Sequence, residues 1–150
     1  MKKFNFVAAA LAFGTLLMPV RSAAQKDSLT TAFFEKNGVA PRSSAKLRTS
    51  VFDRTISIKE LNRGTIERVY YGYGAQRIDA NGTKTKYHIR DGHIEEEYGG
   101  VPRMLMIYDW HGRAYICVDN VGDLDEIGDA AGTCPYEVVA TAQGNHMREK

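Results

Sequence analysis

Two histidines and a carboxylate, His88, His93 and Glu95, are the residues whose types and spacing most directly suggest chemistry in this chain. Imidazole nitrogen and carboxylate oxygen are suitable ligands for zinc or copper, and three of them leave an open position for a water to be activated. The competing reading is a pair of polar residues flanking a hairpin turn on a solvated strand face. A second candidate is the acidic stretch carrying Asp119, Asp123, Asp125, Glu126 and Asp129, since closely spaced oxygen ligands suit calcium. An EF-hand frame starting at Asp123 places Asp125 third and Gly128 sixth, but Ile127 falls fifth and Cys134 twelfth. A solvated acidic loop is therefore the default, and no cofactor is expected unless zinc or calcium occupies one of these two groups.

The strongest binding candidate is aromatic. Tyr70, Tyr71 and Tyr73 stand in a Tyr-Tyr-Gly-Tyr-Gly stretch, and Trp110 lies beside the turn at His111-Gly112. Tyrosine offers flat apolar area and a hydroxyl at low entropic cost, which suits protein or sugar recognition. Adjacent residues of a strand point to opposite faces, so Tyr70 and Tyr71 cannot both be core. For nucleophilic or phosphoryl chemistry there is no GxSxG elbow, no helical metal-histidine pair and no glycine loop opening a helix. Glu95, Glu96 and Glu97 alternate in facing along one strand and are not held over one cleft.

The elements that must position these residues centre on Arg77 to Tyr98. Asn81-Gly82 and Asp91-Gly92 are turn pairs of the type I′ kind, bracketing one strand. Two-residue loops at both would pair Ile78 with Thr85, Arg77 with Lys86, Ile89 with Ile94, His88 with Glu95, Lys86 with Glu97 and Thr85 with Tyr98. One face then carries Ile78, Thr85, Tyr87, Ile89, Ile94 and Tyr98, with Glu96 as its exception. The other carries Arg77, Asp79, Lys84, Lys86, His88, Glu95 and Glu97, so that opposite charges mostly meet across strands.

Around this centre the chain reads as follows. Met1 to Ala24 has the Lys2-Lys3 start, the apolar run Phe6 to Met18 and the small residues Ser22-Ala23-Ala24 of a cleaved signal peptide. That run is shorter than the roughly 20 apolar residues of a bilayer span, and no later segment approaches that length. The expectation is a periplasmic or secreted protein. The leader holds three of the 20 basic residues and none of the 18 acidic ones, so cleavage turns the formal +2 into −1. A near-neutral mature chain gives no reason to expect nucleic acid or an anionic membrane as partner. In an oxidising compartment Cys117 and Cys134 should pair as a disulfide, worth roughly 3 kcal/mol by loop-closure entropy.

Residues 25–50 read as a short helix, Leu29 to Lys36, capped by Asp27 or Ser28 and stopped at Gly38, followed by a polar linker. Residues 51–141 read as an antiparallel domain, and 142–150 as a polar, frayed tail. Within it Arg54 to Glu60 and Thr65 to Tyr71 form a hairpin about Asn62-Arg63-Gly64, and Met104 to Asp109 and Arg113 to Asp119 form one about His111-Gly112. The second hairpin pairs Ile107 with Ile116, Leu105 with Val118, Tyr108 with Tyr115 and Met106 with Cys117. Both of its faces are apolar, so it wants cover on both sides. Tyr136 to Ala140 is the last strand, with Pro135 at its start.

The segment YDWHGR, Tyr108 to Arg113, resembles the YDxxGR core of the YD repeats of secreted bacterial shell proteins, and Asp79 to Tyr87 is a looser echo. Such shells stack many copies, whereas this chain has one core and no regular period. The resemblance implies hairpins and no function.

The whole predicts a mainly β fold with one short N-terminal helix, an up-and-down meander of about seven or eight strands forming a small barrel or a strongly curved sheet. Three functions fit it. The first is an exported, disulfide-stapled binding protein acting on a protein partner of the envelope or extracellular space, as inhibitor, immunity or accessory protein. The second is a barrel carrier holding an apolar ligand against Tyr87, Tyr98, Met104 and Met106. The third is a metal-dependent enzyme using His88, His93 and Glu95.

Overall fold

The computed structural model describes residues 29–120 and 132–147. Asp27, Ser28, the segment read as a leader and most of the acidic stretch, including Asp123, Asp125, Glu126 and Asp129, lie outside them. Two helices, α1 (Thr31–Lys36) and α2 (Ser44–Val51), precede eight strands: β1 (Arg54–Glu60), β2 (Ile66–Tyr71), β3 (Gln76–Ile78), β4 (Lys84–Arg90), β5 (His93–Tyr98), β6 (Val101–Trp110), β7 (Arg113–Asn120) and β8 (Thr133–Gln143). The strands run in chain order as an antiparallel meander, and β1 pairs with β8 to close a barrel.

The turn chemistry places most of the ladder where alternation predicts. β4 and β5 pair Ile89 with Ile94 and His88 with Glu95 across Asp91-Gly92, and β6 and β7 pair all four predicted couples across His111-Gly112. One register differs. β3 pairs Arg77 with Thr85 and Ile78 with Lys84, one residue away from the expected register. The reason is Asp79, whose carboxylate accepts the backbone N–H groups of Asn81 and Thr83 and organises a longer loop than two residues. A slip of one residue inverts the facing of every side chain in the strand. Arg77 thus turns from the solvated face into the barrel.

The two helices give the apolar hairpin its double cover. α1 is capped by Thr30, whose hydroxyl accepts Phe33 N–H, and not by Asp27 or Ser28. Its buried residue is Phe34, stacked on Tyr108 at 4.6 Å and packed outside the barrel with Tyr115, Cys117 and Cys134. The disulfide Cys117–Cys134 joins β7 to β8 beneath it. The stretch read as a linker is instead α2, capped by Ser43, which sends fully buried Leu47 and Val51 into the barrel interior beside Ile56 and Ile107. Residues 144–147 are not frayed, since Thr55 Oγ1 donates to Gly144 O and accepts His146 N–H.

Charge fastens α2 to its end of the barrel. The Asp109 carboxylate, at the end of β6, accepts hydrogen bonds from Arg42 and Lys46, and Ser44 Oγ accepts Gly92 N–H from the β4–β5 turn. The Arg42 hydrogen bond, aided by Lys46, holds the Asp109 carboxyl below its ordinary 3.8 despite partial burial. A carboxyl that binds its proton less readily folded than unfolded stabilises the fold above its ordinary value, and that contribution is lost as pH falls through the lower folded value. Asp109→Asn should therefore flatten the acid limb of melting temperature against pH below about pH 4. Acid limbs of equal steepness in the two proteins would remove this role.

Candidate functional site

The interior is not a uniform hydrocarbon core. Glu96, Arg77 and Arg103 come together inside the wall, with side chains 0%, 3% and 6% exposed. Neighbouring strands β3, β4, β5 and β6 put them there, because Arg77 pairs with Thr85, Tyr87 with Glu96 and Glu96 with Arg103. Glu96 Oε1 accepts Arg103 Nε at 2.8 Å and Nη2 at 2.5 Å, while Oε2 accepts the Tyr71 hydroxyl at 2.8 Å. Arg77 Nε lies 3.1 Å from the same Oε2, yet in a direction that makes no hydrogen bond. Tyr98, 44% exposed at the end of β5, covers the group with its ring 4.3 Å below Arg103 and 5.9 Å from Arg77.

Titration follows from this burial. Burial, and then the Glu96 charge, push the Tyr71 hydroxyl far above its usual range. Burial works against the charge on Arg103, but Glu96 outweighs it and the guanidinium holds its proton more tightly. Arg103 thus keeps its charge, and Tyr71 acts as a neutral donor. Sequence reasoning had one signal for it, the glutamate standing alone on an apolar face.

On the outer surface, the chain leaving α2 meets the chain leaving β2. Asp53, in the left-handed region at φ 50°, accepts the Tyr70 hydroxyl on Oδ1 at 2.8 Å and Gln143 Nε2 on Oδ2 at 2.8 Å. The Tyr70 hydrogen bond lowers the Asp53 pKa against partial desolvation, and burial with the Asp53 charge raises Tyr70 to about 12. A Cβ at Gly72 would fall 2.6 Å from Tyr70 Cε1, so any other residue there would displace the Tyr70 ring from this base. Beside this base Phe52 and Tyr73 meet edge to face at 4.8 Å, 40% and 66% exposed.

The residues singled out from sequence are thus divided. Tyr70 and Tyr73 share the surface patch, whereas Tyr71 is inside the barrel. Trp110 is elsewhere, edge-on to Phe33 of α1 at 5.6 Å. His88, His93 and Glu95 share the outer face of β4 and β5, but Glu95 is held by Arg90 at 2.8 Å. Among the described residues no three His, Cys, Asp or Glu side chains are gathered so as to hold a metal ion. Among the described residues no helix is long and apolar enough to cross a membrane.

No family model, curated protein or solved structure matches this chain. Its chemistry has to be taken from its own geometry.

That geometry bears on the carrier reading. Tyr87 faces inward, but Met104 and Met106 lie on the outer face, with Met106 packed against the α1 cluster, and Tyr98 covers the charged group. One space inside, bounded by Tyr71, Arg103, Ile107 and Tyr136, amounts to about 20 Å³. That is room for a water-sized group, against the roughly 300 Å³ or more of a pocket for an organic ligand.

Proposed function

We propose that this protein is an exported binding module that engages a protein partner of the envelope or extracellular space through the Phe52–Tyr73 patch, acting as an inhibitor, immunity or accessory protein. The observation that carries this reading is the pair of exposed aromatic rings fixed over a hydrogen-bonded base of Asp53, Tyr70 and Gln143. Rings already ordered lose little freedom on association, so their burial contributes more of its transfer energy to affinity. Half-buried Arg54, bonded to Thr49 O, lies close enough to Asp53 to act on its charge, which suits a partner with an acidic group beside an apolar centre. The small size of the space beside Tyr71 and Arg103 supports surface recognition over carriage, and the disulfide supports an oxidising compartment.

The test is quantitative capture. Immobilised wild-type protein and Phe52→Ala/Tyr73→Ala would be exposed to the extracellular and envelope fractions of the source cells, and retained proteins compared by mass spectrometry. The double variant should lose a specific partner by tenfold or more while keeping its wild-type melting temperature, since hot-spot aromatics each carry about 2 kcal/mol or more. Retention of the same proteins in equal amounts by both would sink the proposal. Tyr71→Ala is unsuitable as a surface probe because Tyr71 is 5% exposed and bonded to Glu96.

A further inference from the structure

Tyr87 belongs to the barrel core, 3% exposed, with its ring edge to face against Tyr71 at 5.0 Å. Its hydroxyl donates to the carbonyl of Gly72 at 3.1 Å, in a buried hydrogen bond. Gly72 is where the chain leaves β2 for the surface, and it is held at three points. Its N–H donates to Gln76 O at 2.7 Å and closes the loop between β2 and β3, the Tyr70 ring lies where a Cβ would stand, and Tyr87 grips the carbonyl from inside. The next residue is Tyr73, whose ring, 66% exposed, meets Phe52 in the patch. Gly74 and Ala75 then take positive φ, 72° and 59°. A non-glycine residue in that region persists only where its surroundings impose the conformation. Tyr70 does so from outside, and Tyr87 from within.

We infer that Tyr87 is a positioning residue for the surface patch: through Gly72 O its hydroxyl fixes the loop that sets Tyr73 against Phe52, and with it the affinity for the partner. This role rests on the Phe52–Tyr73 patch being the binding surface. A ring already fixed loses less freedom on association, so order supplied from inside the wall is read outside as tighter binding. Burial pushes the Tyr87 hydroxyl up from its ordinary value, so it remains a protonated donor to the carbonyl. Tyr71 makes the contrast. Its hydroxyl is buried too, but it donates to Glu96 and not to the loop. Of two tyrosines in one core, one satisfies the ion group and the other holds the patch.

Solution NMR of the full disulfide-bonded chain would compare wild type, Tyr87→Phe and Tyr71→Phe, since each variant removes one buried hydroxyl and keeps its ring. In Tyr87→Phe the cross-peaks between the Phe52 and Tyr73 rings should fade. Exchange of the Gly72 N–H should quicken about tenfold, the effect of one net hydrogen bond, while the amides of β6 and β7 exchange as in wild type. Tyr71→Phe should leave the ring cross-peaks and the Gly72 exchange unchanged. In the capture experiment, Tyr87→Phe should retain about tenfold less of the partner than wild type. Unchanged cross-peaks and exchange in Tyr87→Phe would overturn the role, as would equal changes in Tyr71→Phe or faster exchange throughout the barrel. Full capture by Tyr87→Phe, where Phe52→Ala/Tyr73→Ala has lost the partner, would overturn it while leaving the patch in place. Full capture by that double variant would remove the patch as the binding surface, and the role of Tyr87 with it.

Discussion

Glu96→Ala is expected to destabilise the fold by about 3–5 kcal/mol, measured by urea denaturation, because it strands two guanidinium groups in the barrel wall without their shared carboxylate. A domain of this size has only about 5–15 kcal/mol of stability, so much of the variant should be unfolded near physiological temperature. The size of the loss does not measure what the ion group contributes to the wild type. Breaking a buried pair is costly because it leaves a charge behind, whereas replacing all its members by apolar residues is often neutral or favourable. The triple variant Arg77→Met/Glu96→Met/Arg103→Met should therefore regain most of what Glu96→Ala loses. If the triple variant were as unstable as the single one, the cost would lie in packing at Glu96 and not in charge.

The second large effect belongs to α1. Phe34 is fully buried, stacked on Tyr108 at 4.6 Å and tilted against Tyr115 at 5.8 Å, on the side of the sheet away from the barrel interior. Phe34→Ala should cost about 3–5 kcal/mol by transfer and cavity terms together, again read from the denaturation midpoint. Phe33→Ala, one residue earlier and only half-buried, should cost clearly less. Equal and small losses for both would mean that α1 does not hold the outer face of β6 and β7 as described.

These two sites show what the amino-acid order discloses and what it hides. Strand alternation and the Asp91-Gly92 and His111-Gly112 turns placed the central hairpins correctly, because there the turn pair and the apolar pattern agree. The double cover of the β6–β7 hairpin was legible in the same way, from two apolar faces. The ion group was half legible. Glu96 stood out against its neighbours, but its partner Arg77 was assigned to solvent, since a turn at Asn81-Gly82 takes no account of the Asp79 side chain bonding forward to residues 81 and 83. A single hydrogen-bonding carboxylate decided which face an arginine would occupy. α2 was missed for a different reason. Its only buried residues are Leu47 and Val51, too few to set a helical period in a stretch rich in Ser, Lys and Arg, and only the capping Ser43 marked its start. Tyr71 and Tyr70 could be assigned to opposite faces from alternation alone, but which of them faced inward depended on the closure of the barrel.

Closure by the β1–β8 ladder, from Arg54 opposite Gln143 to Glu60 opposite Tyr136, also constrains how any partner can attach. An open sheet presents a row of unpaired N–H and C=O groups, and a foreign strand can add to it with little regard for side-chain identity. Here every strand has two neighbours. Among the described residues the barrel therefore offers no full-length free edge for strand addition or for the edge-to-edge association that makes open sheets aggregate, although short β3 pairs with only part of β2 and β4. Along the fully paired strands a partner would have to read side chains, which ties specificity there to the residues that the barrel holds out to solvent.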